Sequence, residues 1–535
     1  MIETIQLLVA LLIVVAGIAV LSTRLAIPSA ILLVIAGDIL ALIPGLPTIT
    51  LAPEFVLLMV LPPLIYSAAV AMSWREFKFN LRPITLLAVG CVVFTAVAAA
   101  AATHWLLGFP WEVGFVLGAI VSPPDAVAPL SIARRMQIPH RILVVLEGEG
   151  LANDATALIL YRFAIGAVSV GAFSLGKAAA TFSIIVVGEL VWGLAVGWLM
   201  LRLRRWARDP RVEITLSLLT PYLAYWPPEY LGGSGVLATV TAGLYISWNG
   251  LRLISAATRL QGIFFWDLLT YLTEGLVFLI TGLQARTLLS RIQMFTGREL
   301  VVSALVVCVV VILARFVWIY PATYLPRRLS AALARRDPSP PWQYPFALSF
   351  TGVRGIVSLA AALAIPLTTA TGDPFPYRDL ILFLTFAVIL VTLVGQGLML
   401  PAVIRWLGLA NAGALERADD RVEELTARRL AIEAAIQRLD ALGAESTYTD
   451  EFLEPVRSRY RERLRHVAHS NSKDEDHRRL SKAHDDIELE LIETERQALN
   501  DLYRDGAVKD EARRRIERAL DLREAHLRSL RGDPD

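Results

Sequence analysis

The sequence predicts an all-α, polytopic membrane protein: about thirteen transmembrane helices over residues 1–407, then a charged helical tail over 408–535. Three observations carry this. Of 535 residues, 55% are hydrophobic and only 19% charged, with a mean hydropathy of +0.55; soluble domains are about 25% charged. Apolar runs near the ~17–25 residues needed to cross a bilayer recur as far as Leu407. The charge then breaks near Gly408. Residues 1–407 hold 27 Lys and Arg against 19 Asp and Glu, net +8; residues 408–535 hold 24 against 30, net −6.

Cut at their Gly, Pro and charged punctuation, the runs lie at about 5–21, 27–43, 55–72, 83–106, 113–133, 142–168, 176–201, 212–226, 234–248, 260–286, 299–324, 346–367 and 380–407. Glu3 and no basic residue precedes the first, so it reads as a retained span and not a signal peptide. Alternate loops are basic. One set (Arg24; Arg75, Lys78, Arg82; Arg134, Arg135, Arg141; Arg202 to Arg211; Arg252, Arg259; Arg327 to Arg336) holds 18 Lys and Arg, the other only 5. Basic loops stay cytoplasmic. The expectation is an inner (plasma) membrane protein, N-terminus outside and tail in the cytoplasm.

The costly residues fall in two stretches. Glu147-Gly148-Glu149-Gly150-Leu151-Ala152-Asn153-Asp154 interrupts apolar sequence on both sides. A charge at the bilayer centre costs about 3 kcal/mol on insertion scales, and its usual explanation is an ion pathway. Upstream, Ser122-Pro123-Pro124-Asp125 breaks another run. Prolines beside a carboxylate point to an opened helix, whose freed carbonyls and side chain can hold a cation. The two stretches read as two walls of one cation and proton site. A second broken span, 346–367, has Gly352 and Gly355 around Arg354. Two interrupted spans at corresponding places suggest inverted repeats, six spans on either side of a linker span.

Asp154 is the first candidate for chemistry. A carboxylate in such a place takes a proton or a hard alkali cation, not both, and that competition couples the two fluxes. Asn153 adds a neutral carbonyl and amide. Asp125 would supply a second carboxylate beside freed backbone carbonyls; the bland alternative is a helix cap. Glu149, five residues before Asp154, points away from it on a helix and needs a buried cation. Arg315 is the first choice and Arg354 belongs near the opened helices. Arg162 follows Asp154 by eight residues, close to the same face, and reads as a support. Asp38 is the lone acid of its span; Glu189, Asp267 and Glu274 receive no role. His477 and His484 in the tail read as solvated surface. Cys91 and Cys308 are too few for a disulfide framework or a Cys-based metal site. In the tail, Leu425, Ile432, Ile436 and Leu439 space as one helix face, as do Leu480, Ile487 and Leu491, then Ile516, Leu520 and Leu527. About four helices are expected, with breaks near Gly443, Asn471 and Gly506.

The run Gly118 to Asp125, followed by Leu146-Glu147-Gly148-Glu149 and Asn153-Asp154-Ala155-Thr156-Ala157-Leu158, resembles the monovalent cation:proton antiporter family. The similarity is to the branch of NhaP-type bacterial antiporters and animal sodium/proton exchangers. Leu61-Pro62-Pro63-Leu64-Ile65-Tyr66, Ala314-Arg315 with Tyr320-Pro321, and Gly352-Val353-Arg354-Gly355 fit the same pattern, which covers about residues 1–407. The resemblance implies a homodimer with two opened helices crossing at the midplane. It puts the cation site, here for Na+, on Asp125 and Asp154 with Asn153, and a structural ion pair on Glu149 and Arg315. It also implies electroneutral exchange of one cation for one proton. Two departures stand out. The prolines precede Asp125 and Ala126 follows it, so Pro124 replaces a hydroxyl ligand. Gly150 stands where a hydroxyl residue often follows the Glu.

The expected function is secondary active exchange of Na+ for H+, serving pH and sodium homeostasis. K+ or Li+ on the same fold is the first alternative. A cation channel or membrane sensor is the alternative of another class. No nucleophile–base set, cofactor motif or nucleic-acid-binding feature is evident, so neither an enzyme, a cofactor nor a nucleic-acid partner is expected. The partners are the ions, membrane lipid and a second copy of the chain. The tail, 408–535, reads as a regulatory domain.

Overall fold

The computed structural model describes residues 2–44, 52–170, 175–207, 209–250, 253–292, 295–444, 450–470, 475–505, 508 and 510–531. Among these residues the chain is helical and has no named strand. It falls into two compact units, Met1–Ala414 and Leu415–Asp535.

In the first unit the principal helices are α1 (Ile2–Leu25), α2 (Ser29–Ala41), α3 (Pro53–Ala71), α4 (Leu81–Leu107), α5 (Trp111–Val121), α6 (Val127–Arg135), α7 (His140–Val170) and α8 (Leu175–Ala207). They continue as α9 (Pro210–Tyr230), α10 (Val236–Gly250), α11 (Ala256–Leu283), α12 (Gly297–Leu329), α13 (Gln343–Phe350), α14 (Ile356–Leu363) and α15 (Arg378–Trp406). Each apolar run of the sequence falls on one helix or on a broken pair. By length and composition alone, 7 helical stretches among the described residues can cross a membrane. Helix α7, at 31 residues, is about 46 Å long at 1.5 Å per residue and carries Glu147, Glu149, Asp154 and Arg162.

Proline explains one local distortion. Pro62 and Pro63 in α3 donate no N–H, so the carbonyls four residues earlier, Leu58 and Met59, lose their helical partners. A π-helical turn, Val56–Val60, opens there. Two side chains of α9 take the freed carbonyls: Trp226 Nε1 donates to Leu58 O at 3.0 Å and Tyr222 Oη to Met59 O at 3.1 Å. Helices α2 and α11 touch backbone to backbone. A Cβ on Gly37 would lie 2.3 Å from Leu279 O, and one on Gly282 2.2 Å from Val34 O. Small residues permit this approach where no hydrophobic effect drives helix association.

The tail helices are α16 (Leu409–Ala444), α17 (Asp450–Ser470), α18 (Glu475–Arg504) and α19 (Asp510–Arg531). Leu425, Ile432, Leu520 and Leu527 are buried, as their spacing predicts. The face expected on α18 is corrected. Ile487 and Leu491 are exposed, and Ile492, with Leu489 beside it, packs against Leu520 and Leu527. Apolar residues fall on two adjoining faces of this helix, and spacing within it does not decide between them. Ile516 is also exposed. The side chains of Leu480, His477 and His484 lie outside the described residues.

Candidate cation site

The site is built from two broken helices. Helix α5 ends at Val121 and α6 begins at Val127; between them Pro123 and Pro124 cannot continue the hydrogen-bond ladder. Helix α13 ends at Phe350 and α14 begins at Ile356, leaving 351–355 open. The two open segments meet: the Asp125 N–H donates to Val353 O at 2.7 Å. Gly355 makes the approach possible, since a Cβ there would sit 1.6 Å from Asp125 Oδ2.

Charge is arranged along the half-helix dipoles. Asp125 Oδ1 accepts from the Val127 N–H at 2.9 Å, and the carboxylate also accepts from the Ile356 N–H. The anion thus faces the positive N-terminal ends of α6 and α14. Arg354, 1% exposed, does the converse. Its Nε donates to Val121 O at 2.9 Å and its Nη1 to Gly352 O, placing a cation on the carbonyl end of α5. Thr392 Oγ1 accepts from the Arg354 backbone N–H at 2.9 Å.

Helix α7 forms the opposite wall. Asn153 is fully buried and its Nδ2 donates to Pro124 O at 2.6 Å. A carbonyl only accepts, so the amide nitrogen must face it. That turns Oδ1 inward, where it has no donor among the described residues. An unsatisfied buried acceptor costs about 1–3 kcal/mol, and a bound cation would satisfy it. Asp154 is half-buried, and no basic side chain pairs with it among the described residues. Two carboxylates, an amide oxygen and freed carbonyls make a hard, all-oxygen set suited to an alkali cation. Gly150 and Ala126 pack together: a Cβ on Gly150 would lie 2.9 Å from Ala126 Cβ. A hydroxyl side chain at position 150 would therefore press on Ala126, the residue that follows Asp125.

Glu149 and Arg315 join α7 to α12. Arg315 Nη1 and Nη2 donate to Glu149 Oε1 and Oε2 at 2.5 and 2.7 Å, and Arg315 Nε donates to Leu348 O at 2.9 Å. The pair sits one helical turn before Asn153 and fixes α7 against the second broken helix.

Arg162 makes no ion pair with Asp154 among the described residues. Arg162 pairs instead with Glu229 of α9, an acid that sequence reasoning missed because α9 runs on through Pro227 and Pro228 to Tyr230. Glu189 accepts the N–H groups of Ser234, Gly235 and Leu237 at 2.6, 3.1 and 3.0 Å, which caps α10. Glu147 pairs with Arg134 at 2.6 Å. Glu274 lies on α11. Asp38 keeps one buried oxygen, Oδ1, without a partner among the described residues.

An opened-helix crossing, with buried polar side chains facing it from a third helix, is the architecture of a class: polytopic secondary transporters of small cations. Residues 9–406 match the family described as sodium/hydrogen exchanger, transmembrane, and the chain belongs to that family. It is a multi-pass secondary active antiporter exchanging Na+ for H+, a transporter class and not an enzyme class. It is 35% identical over 519 residues to a protein of Mycobacterium tuberculosis named as an uncharacterized Na(+)/H(+) exchanger, covering 95% of this chain and 93% of that one. It is 31% identical over 449 residues to a sodium, potassium, lithium and rubidium/H(+) antiporter of Bacillus subtilis, covering 82% and 65%. Its fold is similar to that of the sodium proton antiporter MjNhaP1 from Methanocaldococcus jannaschii, with TM-score 0.61, 19% identity, and 75% of this chain and 97% of that one covered.

Gly355→Ala tests the crossing. The added methyl must displace the Asp125 carboxylate, and a misplacement of about 1 Å costs up to ~100-fold where geometry is demanding. Na+-driven proton movement is expected to slow at least ~10-fold. Gly262→Ala, with nothing within 4 Å of its added Cβ, should match the parent. Equal rates for the two variants would show that the contact is not limiting.

Proposed function

We propose that Asp125, Asp154 and Asn153 are the cation- and proton-binding residues, with Na+ held by Asp125 and Asp154. The observation that carries this is the orphaned Asn153 Oδ1, a buried acceptor beside Asp154 whose own amide grips the Asp125 segment. When Na+ occupies the site both carboxylates are ionised. When a single proton returns to one of them, the cation's share of the binding energy is lost and it leaves, one positive charge replacing another. Glu149 and Arg315 act as a structural pair, and Arg354 holds the broken helix in register. Arg162 supports the outer half of α7 through Glu229. Asn153 is neutral and adds no titrating group on α7, which favours electroneutral exchange, one Na+ for one proton.

A second reading concerns the ion. Pro124 and Gly150 stand where the family pattern would place hydroxyl residues. Carboxylates and carbonyls alone separate alkali ions weakly, and the Bacillus subtilis relative is named for four of them. K+ and Li+ are therefore competing substrates on this reading. The protein works as a homodimer in lipid of the inner membrane. The basic set of alternate loops supports a cytoplasmic tail, which on this reading tunes the pH profile without being needed for exchange.

One experiment covers these points: dequenching of a pH dye in proteoliposomes on adding each alkali cation, with and without a valinomycin clamp. It is run on the full chain and on a chain ending at Ala414. Na+-driven signals unchanged by the clamp are expected from both, with the pH profile displaced in the shorter one. Acceleration by the clamp would rule out one-for-one exchange. A folded but inactive short chain would remove the regulatory reading of the tail.

A further inference from the structure

At the ends of α4, α7 and α12 that carry the basic loops, three arginines converge on one carboxylate. Arg82 Nη2 and Arg327 Nη2 reach Asp337 Oδ2 at 3.0 and 2.7 Å, and Arg141 Nη2 reaches Oδ1 at 2.8 Å. The cluster keeps a formal surplus of two positive charges. Arg82 Nη1 is buried and has no acceptor among the described residues. The cluster is thus short of acceptor oxygens.

Beneath it lies a pocket, open on one side, between α4, α7, α12 and α13. Its walls are apolar: Leu86, Leu87, Ile142, Val145, Ile319 and Leu348 line it, with Arg82, Arg141 and Arg327 at one end. A cationic rim above an apolar slot matches one kind of molecule, an anion attached to a hydrocarbon chain. Guanidinium forks suit phosphate oxygens, and basic pockets between transmembrane helices on the cytoplasmic side take lipid head groups. A soluble phosphate would satisfy the arginines and leave the slot unfilled.

We propose that this pocket binds an anionic phospholipid, its phosphate on Arg82 and Arg141 and an acyl chain along Leu86, Val145, Ile319 and Leu348. The site is separate from the cation site but mechanically joined to it. Leu348 lines the pocket, and its carbonyl accepts from Arg315, the partner of Glu149. A filled pocket therefore braces the wall against which α7 is held.

The test uses the full chain, delipidated in neutral detergent and titrated with phosphatidylglycerol, phosphatidylcholine or inorganic phosphate. Native mass spectrometry counts retained lipid, and the midpoint of heat unfolding is followed. Phosphatidylglycerol is expected to be retained and to raise the midpoint, while phosphatidylcholine and phosphate do neither. Arg82→Gln with Arg141→Gln should weaken retention about tenfold or more. Asp337→Asn removes the internal competitor and should tighten retention, a change of opposite sign that does not depend on the arginine variant folding. The proposal is overturned if inorganic phosphate reproduces the shift, which would assign a soluble anion. It is equally overturned if phosphatidylcholine serves as well, if the double variant retains phosphatidylglycerol like the parent, or if Asp337→Asn retains less.

Discussion

Asp154→Asn is expected to reduce Na+-driven proton movement in proteoliposomes to the level of empty vesicles, with the protein still folded. The substitution is nearly isosteric and removes the charge and the titration together. In the structure Asp154 is the only member of the site without a structural contact to lose. Asp125 is tied to Val127 and Val353, and Asn153 to Pro124, whereas no ion pair or hydrogen bond holds Asp154 among the described residues. Loss of activity at that position therefore reports on ion chemistry and not on packing. Asn153→Ala makes the contrast. It deletes a neutral ligand and frees Pro124 O, so exchange should persist with Na+ binding weakened about tenfold. Competition fixes the pH dependence in the parent. Protons and Na+ exclude each other, so apparent Na+ affinity should tighten as pH rises, by at most about tenfold per pH unit for one proton displaced. Affinity that stays flat with pH, or an Asp154→Asn variant that still exchanges, would mean the titrating group lies elsewhere.

Much of this site was legible in the sequence because membranes make polar residues expensive. Pro123, Pro124 and Asp125, or Glu149, Asn153 and Asp154, have no inexpensive explanation inside apolar runs; the first three lie at the crossing, and Asn153 reaches it from α7 through Pro124 O. The same argument foresees Glu149 needing a buried cation. It does not choose geometry. Nothing in the spacing of Arg354 says that its guanidinium caps α5 at Val121, or that Thr392 receives its backbone N–H. The partner of Arg162 was not legible for a related reason. Eight residues along a helix predicts a shared face with Asp154, but a guanidinium is long, and its direction is set by the acid it finds, here Glu229 on α9. Glu229 itself was hidden by the prolines before it, which read as a loop and instead sit inside the last turn of a helix. In the tail the charged helices carry apolar residues on two faces. Their partners, and not their spacing, decided which face is buried.

Breaking the Glu149–Arg315 pair should give the largest loss of stability of any single substitution in the membrane unit. Both side chains are only 1–2% exposed, and their two parallel hydrogen bonds leave little room for water. Arg315→Ala strands a buried carboxylate and also removes the donor from Leu348 O; removing one partner of such a pair costs about 3–5 kcal/mol. Glu149→Ala strands the guanidinium with a cost of the same order. Replacing both, as Glu149→Leu with Arg315→Met, deletes the two desolvation penalties along with the attraction, and such swaps are often close to neutral. The double variant is therefore expected to unfold at a higher temperature than either single one, with a strongly non-additive cycle. Its transport separates the two roles the pair can have. If the pair only holds α7 against α12, the folded double variant exchanges Na+ for H+ with the parent's ion dependence. If it shares in ion binding, the double variant folds and does not exchange. Single variants as stable as the parent would show that the pair is solvated in the membrane and holds nothing in place.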